Sequence, residues 1–317
     1  MSEDSDWLKW FSGKRVTVLG ASGFIGRHLS ARLVPLAREV VAFSRGTATP
    51  TLPALHGATI VAGDVTALDD VEAAIRGSDV VFVMAGVSGA AASWRDPQRS
   101  LDVNAGGLQT VLNAVVRSSP AATVVFPSSR LVYGAATSIP VAESAPLRPT
   151  SPYGLHKWFG EMLLDLYAQR HGLRYAIARL TNPYGALSGT QYRGYNVIAS
   201  MIEAARANGE LTVFGDGSQL RDYIHIDDAV DALLRVCVAS RENVTVNIGS
   251  GVGTSFVEVV RTIVEAIGGG RLVFAPWPPE YAAVETGDFV ADVARARALG
   301  IAQPRDLRRG LEQTISG

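Results

Sequence analysis

Apolar blocks and stretches of helical periodicity alternate along the first half of the chain. The continuous apolar run at 80–84 is typical of a strand covered on both faces, whereas residues 24–36 repeat their apolar positions with helical spacing. The pattern predicts strands at 15–19, 39–43, 58–62, 80–84, 123–126 and 175–180, and helices at 24–36, 68–76, 97–117 and 152–170. This alternation predicts an α/β fold with a parallel, doubly wound sheet and right-handed crossovers.

The first strand runs directly into a glycine loop with the sequence GASGFIG at 20–26. Gly20 permits a tight turn, Gly23 allows a pyrophosphate to approach the backbone, and Gly26 lets the next helix pack closely on the sheet. A strand, a glycine loop and a helix in this order are typical of a Rossmann-type dinucleotide site. The alternative is an ordinary strand–helix turn, because the spacing is G-x-x-G-x-x-G rather than the commoner G-x-G-x-x-G.

The end of the second strand indicates which dinucleotide binds. An acidic residue there bonds the ribose of NAD, and an Arg there accommodates the 2′-phosphate of NADP. Here Ser44 stands where the acid is expected and Arg45 follows it, so NADP(H) is the preferred prediction and NAD(H) stays possible. The alternative for Arg45 is a solvated surface side chain. After the next two strands, Asp64-Val65 is predicted to meet the adenine, and Ala85-Gly86 to leave room for the cofactor.

Candidate chemistry lies at 127–157. Ser151 and Pro152 are a good N-cap and first helical residue, so Tyr153 falls in the first turn, and Lys157, four residues later, on the same face. A phenol titrates near ~10, and a neighbouring ammonium together with the helix dipole is expected to lower that pKa. Ser129, at the end of a strand, supplies a hydroxyl to the same region.

Composition narrows the function without defining it. Lys and Arg total 29 against 30 Asp and Glu, so no overall charge favours nucleic acid or a membrane surface. The single cysteine, Cys237, excludes an internal disulfide and a cysteine metal cluster, and we predict no metal site. The acidic N-terminus and the lack of a long apolar run predict a cytoplasmic protein.

Taken together, these motifs resemble the extended short-chain dehydrogenase/reductase family over nearly the whole chain. The matching segments are GASGFIG, Asp64-Val65, VNAGG around Asn104, SSRLVYG, SPYGLHK, ARLTNPYG at 178–185, VFGDGSQLRDYIHIDD at 213–228 and NIGSG at 247–251. The resemblance implies that Tyr153 is the acid–base residue, that Lys157 holds the nicotinamide ribose and tunes Tyr153, and that Ser129 bonds the reacting oxygen. It implies further cofactor contacts at Ser22, Phe24, Ile25 and Asn104, and a nucleotide-sugar pocket lined by Asn182, Asn196, Val213 and Arg221, with Arg221 on the diphosphate.

Departures from the family pattern narrow the reaction. Ser129 is followed by Arg130-Leu131 rather than the Asp-Glu pair of sugar-nucleotide dehydratases, so dehydration is not expected. Glu285 stands where many epimerases carry an Arg, and a carboxylate there would repel a diphosphate unless its loop faces away or the ligand is held differently. With the Ser44-Arg45 strand end, these features look most like NADPH-dependent 4-ketoreductases of dTDP-6-deoxysugar biosynthesis. A 4-epimerase and a non-catalytic dinucleotide sensor remain the alternatives.

Four further expectations concern the pocket, the domains and the assembly. Trp94 is predicted either to roof the substrate or to be a partly buried surface residue, and Arg221 either to bind the diphosphate or to pair with Asp222 or Asp227. Residues 1–180 are expected to form the dinucleotide domain and 181–317 mainly the substrate lobe, with some chain returning to the first domain. By resemblance, the helices at 97–117 and 152–170 would pair in a homodimer.

Overall fold

A seven-stranded parallel sheet forms the centre of the protein. The computed structural model describes residues 3–46, 55–186, 197–239 and 242–316. The strands are β1 (Arg15–Leu19), β2 (Glu39–Ser44), β3 (Thr59–Ala62), β4 (Val80–Val83), β5 (Thr123–Ser129), β6 (Arg174–Leu180) and β10 (Val244–Ile248). They lie side by side in the order β3-β2-β1-β4-β5-β6-β10, so the chain builds the sheet outward in both directions from β1. This is a doubly wound sheet, as the sequence predicts.

Helices cover both faces of this sheet and bury an apolar core on each. One core contains Val16, Val18 and Phe82 together with residues of the helices at 24–33 and 226–239, and the other contains Leu19 and Val83 together with residues of the helices at 68–75, 107–118 and 152–171. Adjacent residues of one strand enter opposite cores because side chains alternate across a sheet. The helices of this part are α1 (Phe24–Leu33), α2 (Leu68–Ile75), α3 (Ala90–Arg95), α4 (Pro97–Ser100), α5 (Gly107–Ser118), α6 (Pro152–His171), α8 (Ile226–Ala239) and α11 (Ala294–Ala298).

The long helix predicted at 97–117 is interrupted. α4 ends at Ser100, residues Leu101–Gly106 form a π-helical turn, and α5 begins at Gly107. Within the turn, the Asn104 side chain bonds both backbone groups of Val87, in the loop after β4. The spacing of apolar residues along 97–117 does not indicate this turn, because the contact of Asn104 is with a residue from another segment of the chain.

A smaller lobe lies beyond β6. Its apolar core includes Tyr184, Ile198, Leu211, Val213 and Ile263. Its elements are β7 (Asn182–Tyr184), β8 (Glu210–Phe214), β9 (Leu220–His225), β11 (Gly253–Ser255), β12 (Arg271–Ala275), α7 (Val197–Arg206), α9 (Phe256–Ile267), α10 (Pro279–Ala282) and α12 (Leu307–Ser316). Strands β11, β9 and β7 form one sheet, and β12 pairs with β8.

The chain returns from this lobe to the large sheet through α8 and β10, and β10 pairs in parallel with β6. Because all seven strands are parallel, the loops after β1, β2, β4 and β5 meet at one edge of the sheet. The small lobe begins at the same edge, directly after β6. Among the helices of the described ranges, none combines the length and the apolar character that crossing a bilayer requires.

Candidate active site

The glycine loop fits a dinucleotide pyrophosphate. Gly20 adopts φ +89°, and a Cβ atom there would meet the Ala85 backbone nitrogen closer than 3.0 Å. A Cβ atom at Gly26 would likewise collide with the Gly20 carbonyl oxygen. Gly23 is the N-cap of α1 and provides no side-chain cap, so the first backbone N–H groups of α1 are open to an anion. Phe24 and Ile25 begin α1 and pack on the core, and Ser22 precedes them.

The loop after β4 lies close to the glycine loop and is hydrogen-bonded to the Asn104 side chain. The Asn104 Oδ1 accepts a 2.9 Å hydrogen bond from the Val87 N–H, and its Nδ2 donates to the Val87 carbonyl at 2.9 Å and to Ser100 Oγ at 3.2 Å. A Cβ atom at Gly86 would lie 2.8 Å from the Asn104 Oδ1. The described contacts of Asn104 therefore position the Ala85-Gly86 segment, where the sequence predicts passage of the cofactor.

The β2 end carries a serine and an arginine in different environments. Ser44 is buried and Arg45 is exposed. Asp64, after β3, accepts hydrogen bonds from the Thr66 N–H at 2.9 Å and the Thr66 hydroxyl at 2.8 Å. The Thr66 N–H contributes most to lowering the pKa of Asp64, and the charge of Arg45 contributes further. Val65 is buried under Gly107, so its side chain lies in the core.

The candidate catalytic side chains come from the end of β5 and the first turns of α6. Ser151 caps α6 by accepting a hydrogen bond from the Gly154 N–H at 3.2 Å, and Pro152 is the first helical residue, as predicted. The hydroxyl groups of Tyr153 and Ser129 are hydrogen-bonded. The Lys157 Nζ donates to the Pro127 carbonyl at 2.8 Å and lies 5.8 Å from the Tyr153 ring centroid. The three predicted residues are thus brought together.

The electrostatics of this group differ from the expectation for Tyr153. Burial raises the pKa of Tyr153 to about 12, and the hydrogen bond with Ser129 only partly opposes it. Burial also lowers the pKa of Lys157 to about 8, against the charge of Glu161, which raises it. Burial therefore dominates the pKa of Tyr153, contrary to the lowering expected from the ammonium and the helix dipole. Tyr153 is held as a neutral phenol, which is the proton-donating form.

Beneath the catalytic group lies a buried ion pair between Glu161 and Arg179. The Arg179 Nη2 donates to Glu161 Oε2 at 2.6 Å, its Nε donates to Oε1 at 3.0 Å, and both side chains are 7% exposed. Ser128, next to Ser129, donates to the Glu161 Oε1 at 2.5 Å. Arg179 also donates to the Tyr133 hydroxyl at 2.9 Å. The pair therefore links β5, α6 and β6 directly under Ser129 and Lys157.

In the small lobe, Arg221 forms its described contacts with neither Asp222 nor Asp227. Its Nη2 donates to Glu285 Oε1, and its Nη1 donates to the carbonyls of Leu220 at 2.9 Å and Gly287 at 2.7 Å. The loop of Glu285 consequently faces Arg221. Asp222 is fully buried and accepts bonds from the backbone N–H groups of Ser250, Gly251 and Ala291 instead.

The other predicted pocket residues are dispersed. Asn182 bonds the Asp222 carbonyl at 2.8 Å and accepts from Arg130 Nε at 3.3 Å, so it lies beside Arg221. The Val213 side chain is fully buried in the small-lobe core, so only its backbone is available to a ligand. Trp94 is 59% exposed on α3. Asn196 lies outside the described residues.

Some of the remaining side chains have structural contacts, and others near the candidate site were not predicted from the sequence. His156 bonds Ser100 Oγ at 3.0 Å, and Cys237 is buried in the core. The Ser93 Oγ accepts a 3.1 Å hydrogen bond from the Tyr153 N–H, which no sequence pattern indicated. Glu161 could have been found, because it follows Lys157 by one helical turn. In the described part of the chain, no cluster of His, Cys, Asp or Glu is arranged to hold a metal ion.

Comparison with known proteins places these features among enzymes of nucleotide sugars. Residues 16–249 match the model of the NAD dependent epimerase/dehydratase family. A putative UDP-glucose 4-epimerase of Methanocaldococcus jannaschii is 30% identical over 303 residues, covering 95% of this chain and 97% of that one. A dTDP-4-dehydro-6-deoxy-D-allose reductase of a Streptomyces species is 29% identical, with 96% of each chain covered. The solved structure of MoeE5 in complex with UDP-glucose and NAD is 31% identical, with a TM-score of 0.84 over 95% of this chain and 97% of that one.

Proposed function

The chain belongs to the NAD-dependent epimerase/dehydratase family of extended short-chain dehydrogenases/reductases, and from this we propose that it is an NADPH-dependent 4-ketoreductase of a nucleotide-linked 4-keto-6-deoxysugar, with dTDP as the nucleotide. A nicotinamide dinucleotide and a nucleotide sugar are the ligands named for its solved relative. The observation that carries the reductase proposal is the end of β2, where Ser44 and Arg45 replace the acidic residue that favours NAD.

The exposure of Arg45 supports the preference for NADPH. A guanidinium free to reach a 2′-phosphate can bind it through two parallel hydrogen bonds. The nearby carboxylate is that of Asp64, which interacts electrostatically with Arg45. This carboxylate already accepts hydrogen bonds from the N–H and the hydroxyl of Thr66. An NADPH that exchanges with solvent after each turnover is what a reductase requires, whereas an epimerase retains its dinucleotide.

The catalytic group is suited to protonating a reduced carbonyl. A dinucleotide held by the glycine loop and Lys157 would supply the hydride that reduces C4 of the sugar. The neutral Tyr153 phenol then donates its proton to the oxygen of C4, and the Ser129 hydroxyl stabilises the negative charge that develops there. Lys157 holds the nicotinamide ribose and favours the tyrosinate that remains. Its ammonium is fixed by the Pro127 carbonyl, 2.8 Å away.

A nucleotide-sugar 4-epimerase is the second candidate, because the similar Methanocaldococcus protein carries that description. It would use the same Ser129, Tyr153 and Lys157 but return the hydride to the opposite face of the sugar. A non-catalytic dinucleotide sensor has no use for the hydrogen-bonded Ser129 and Tyr153 pair, which argues against the third alternative.

Two incubations separate the reductase from the epimerase. The protein is mixed with NADPH and a dTDP-4-keto-6-deoxyhexose in one tube, and with UDP-galactose and no added cofactor in the other. The reductase consumes NADPH in the first tube in a 1:1 ratio to the sugar, measured by nicotinamide absorbance. UDP-glucose formed in the second tube would establish the epimerase instead. Tyr153→Phe in both tubes is the control for a contaminating activity.

We also propose the division into a dinucleotide domain at 1–180 and a substrate lobe mainly at 181–317, and a homodimer through α6. Four large apolar residues are exposed on one face of α6, at the spacing of successive turns: Leu155 (48%), Phe159 (39%), Met162 (42%) and Leu166 (59%). A helix face of this kind supports association with the same face of a second copy.

A further inference from the structure

The Glu285 carboxylate occupies a cradle of hydrogen-bond donors. Its Oε1 accepts a bond from Arg221 Nη2, from the Thr286 N–H at 3.0 Å and from the Gly287 N–H at 2.9 Å. Gly287 has φ +70°, which allows two consecutive N–H groups to point at one oxygen. A guanidinium and two backbone N–H groups are also the donors that bind a phosphate oxygen. Glu285 thus fills, from within the chain, a site built for an oxyanion.

A second arginine reaches the same place from the catalytic side. Arg130 follows Ser129 directly, and its Nη1 donates to the Thr286 hydroxyl at 3.0 Å. Its Nε donates to Asn182 Oδ1 at 3.3 Å. Burial lowers the pKa of Arg130 to about 10, and the charge of Arg221 lowers it further while that of Glu285 opposes the change. The buried carboxylate of Asp222 also acts on Arg130, but among the described contacts Glu285 is the carboxylate that is hydrogen-bonded to one of these two guanidinium groups.

We propose that Glu285 is a built-in competitor for the diphosphate of the substrate, and that Arg130 is the second cation that binds this diphosphate once Glu285 is displaced. This rests on the proposed nucleotide-sugar substrate. A diphosphate diester carries two negative charges, which match Arg130 and Arg221. The Glu285 side chain is 27% exposed, so it can turn into solvent when a phosphate oxygen takes its place.

The position of Arg130 connects the candidate catalytic residues with the loop of Glu285. Arg130 follows Ser129 directly, and its guanidinium contacts the hydroxyl of Thr286, the residue next to Glu285. The arginine that many epimerases carry at the position of Glu285 is thus functionally replaced by Arg130, directly after β5, and position 285 is free to hold an opposing charge.

Removing the charge of Glu285 tests the competition. Binding of UDP and of dTDP to the NADPH-loaded protein is measured by calorimetry for the wild type, Glu285→Gln and Glu285→Ala. Both variants are expected to bind at least one of the two nucleotides about tenfold more tightly, because the competing charge-assisted bond is gone. Glu280→Gln is the matched control: it lies five residues earlier and forms a 3.8 Å surface pair with Arg95. Unchanged or weaker binding in both Glu285 variants would show instead that Glu285 permanently clamps Arg221, and would overturn the proposal.

Removing the charge of Arg130 tests the second cation. Arg130→Gln is expected to weaken nucleotide binding about tenfold or more, while Arg271→Gln, an exposed arginine paired with Glu210, has no effect. Equal binding by Arg130→Gln and the wild type would refute the role of Arg130. Because both tests measure binding of a nucleoside diphosphate, their outcome does not depend on whether the sugar is reduced or epimerised. A wild-type protein and Glu285 variants that bind neither nucleotide would overturn the inference.

Discussion

The Glu161 carboxylate should set the pH range over which the enzyme works. It lies one turn beyond Lys157 on α6 and raises the Lys157 pKa against the larger effect of burial, which lowers that pKa to about 8. Because the ammonium loses its proton above the pKa, kcat/KM of the wild type should fall as the pH rises through about 8. In Glu161→Gln the opposing charge is lost, so the fall should begin at a lower pH.

The same substitution should also cost stability, and the two effects have different origins. Glu161 is 7% exposed and accepts bonds from Ser128 and from two nitrogens of Arg179. Removing one partner of a buried pair leaves an uncompensated charge, which typically lowers the free energy of unfolding by about 3–5 kcal/mol. Replacing both partners with leucine, in Glu161→Leu/Arg179→Leu, removes the stranded charge and should recover much of that stability.

The dependence of kcat/KM on pH distinguishes an effect of Glu161 on the charge of Lys157 from an effect of Glu161 on folding. kcat/KM is measured from pH 6 to 9.5 for the wild type, Glu161→Gln and the double variant, with unfolding followed in parallel. We expect the descending limb to move to lower pH in both variants, even though the double variant is the more stable of the two. If kcat/KM of the double variant falls at the same pH as that of the wild type, the proposed effect of Glu161 on the Lys157 pKa is refuted. Glu161 would then stabilise the fold without influencing Lys157.

Three other substitutions test the remaining assignments. Tyr153→Phe should lower kcat by about 10²–10⁴ with little change in cofactor affinity, and retention of more than about a tenth of the activity would mean that another group is the acid. Arg45→Ala should weaken NADPH binding by about 1.5–3 kcal/mol and NADH binding little, whereas equal losses in a titration with both cofactors would place Arg45 away from the 2′-phosphate. Leu166→Lys should convert a dimer into a monomer in sedimentation at micromolar concentration, and a wild type that already sediments as a monomer would contradict the proposed α6 interface.

The local features of the chain could be predicted without its tertiary structure. The strand–glycine loop–helix unit at the N-terminus, the parallel sheet, the Ser151 cap and the Tyr153–Lys157 spacing were confirmed. The loop, the cap and the helical spacing depend on residues within a few positions of one another, where backbone geometry and helical periodicity are decisive. The parallel sheet was predicted from the alternation of strands and helices along the chain. The π-turn at Leu101–Gly106 was missed because its cause, the bond from Asn104 to Val87, spans two different segments.

The charges of the site followed from packing that no local pattern reveals. Arg221 is hydrogen-bonded to Glu285, 64 positions later in the chain, and Arg130 is hydrogen-bonded to Thr286, 156 positions later. The Tyr153 pKa rises rather than falls because the surrounding protein removes water from the phenol, and desolvation depends on everything packed around a group. The sequence could therefore indicate candidate side chains for the chemistry, but their ionisation and partners were decided only when segments far apart in the chain came together and excluded water.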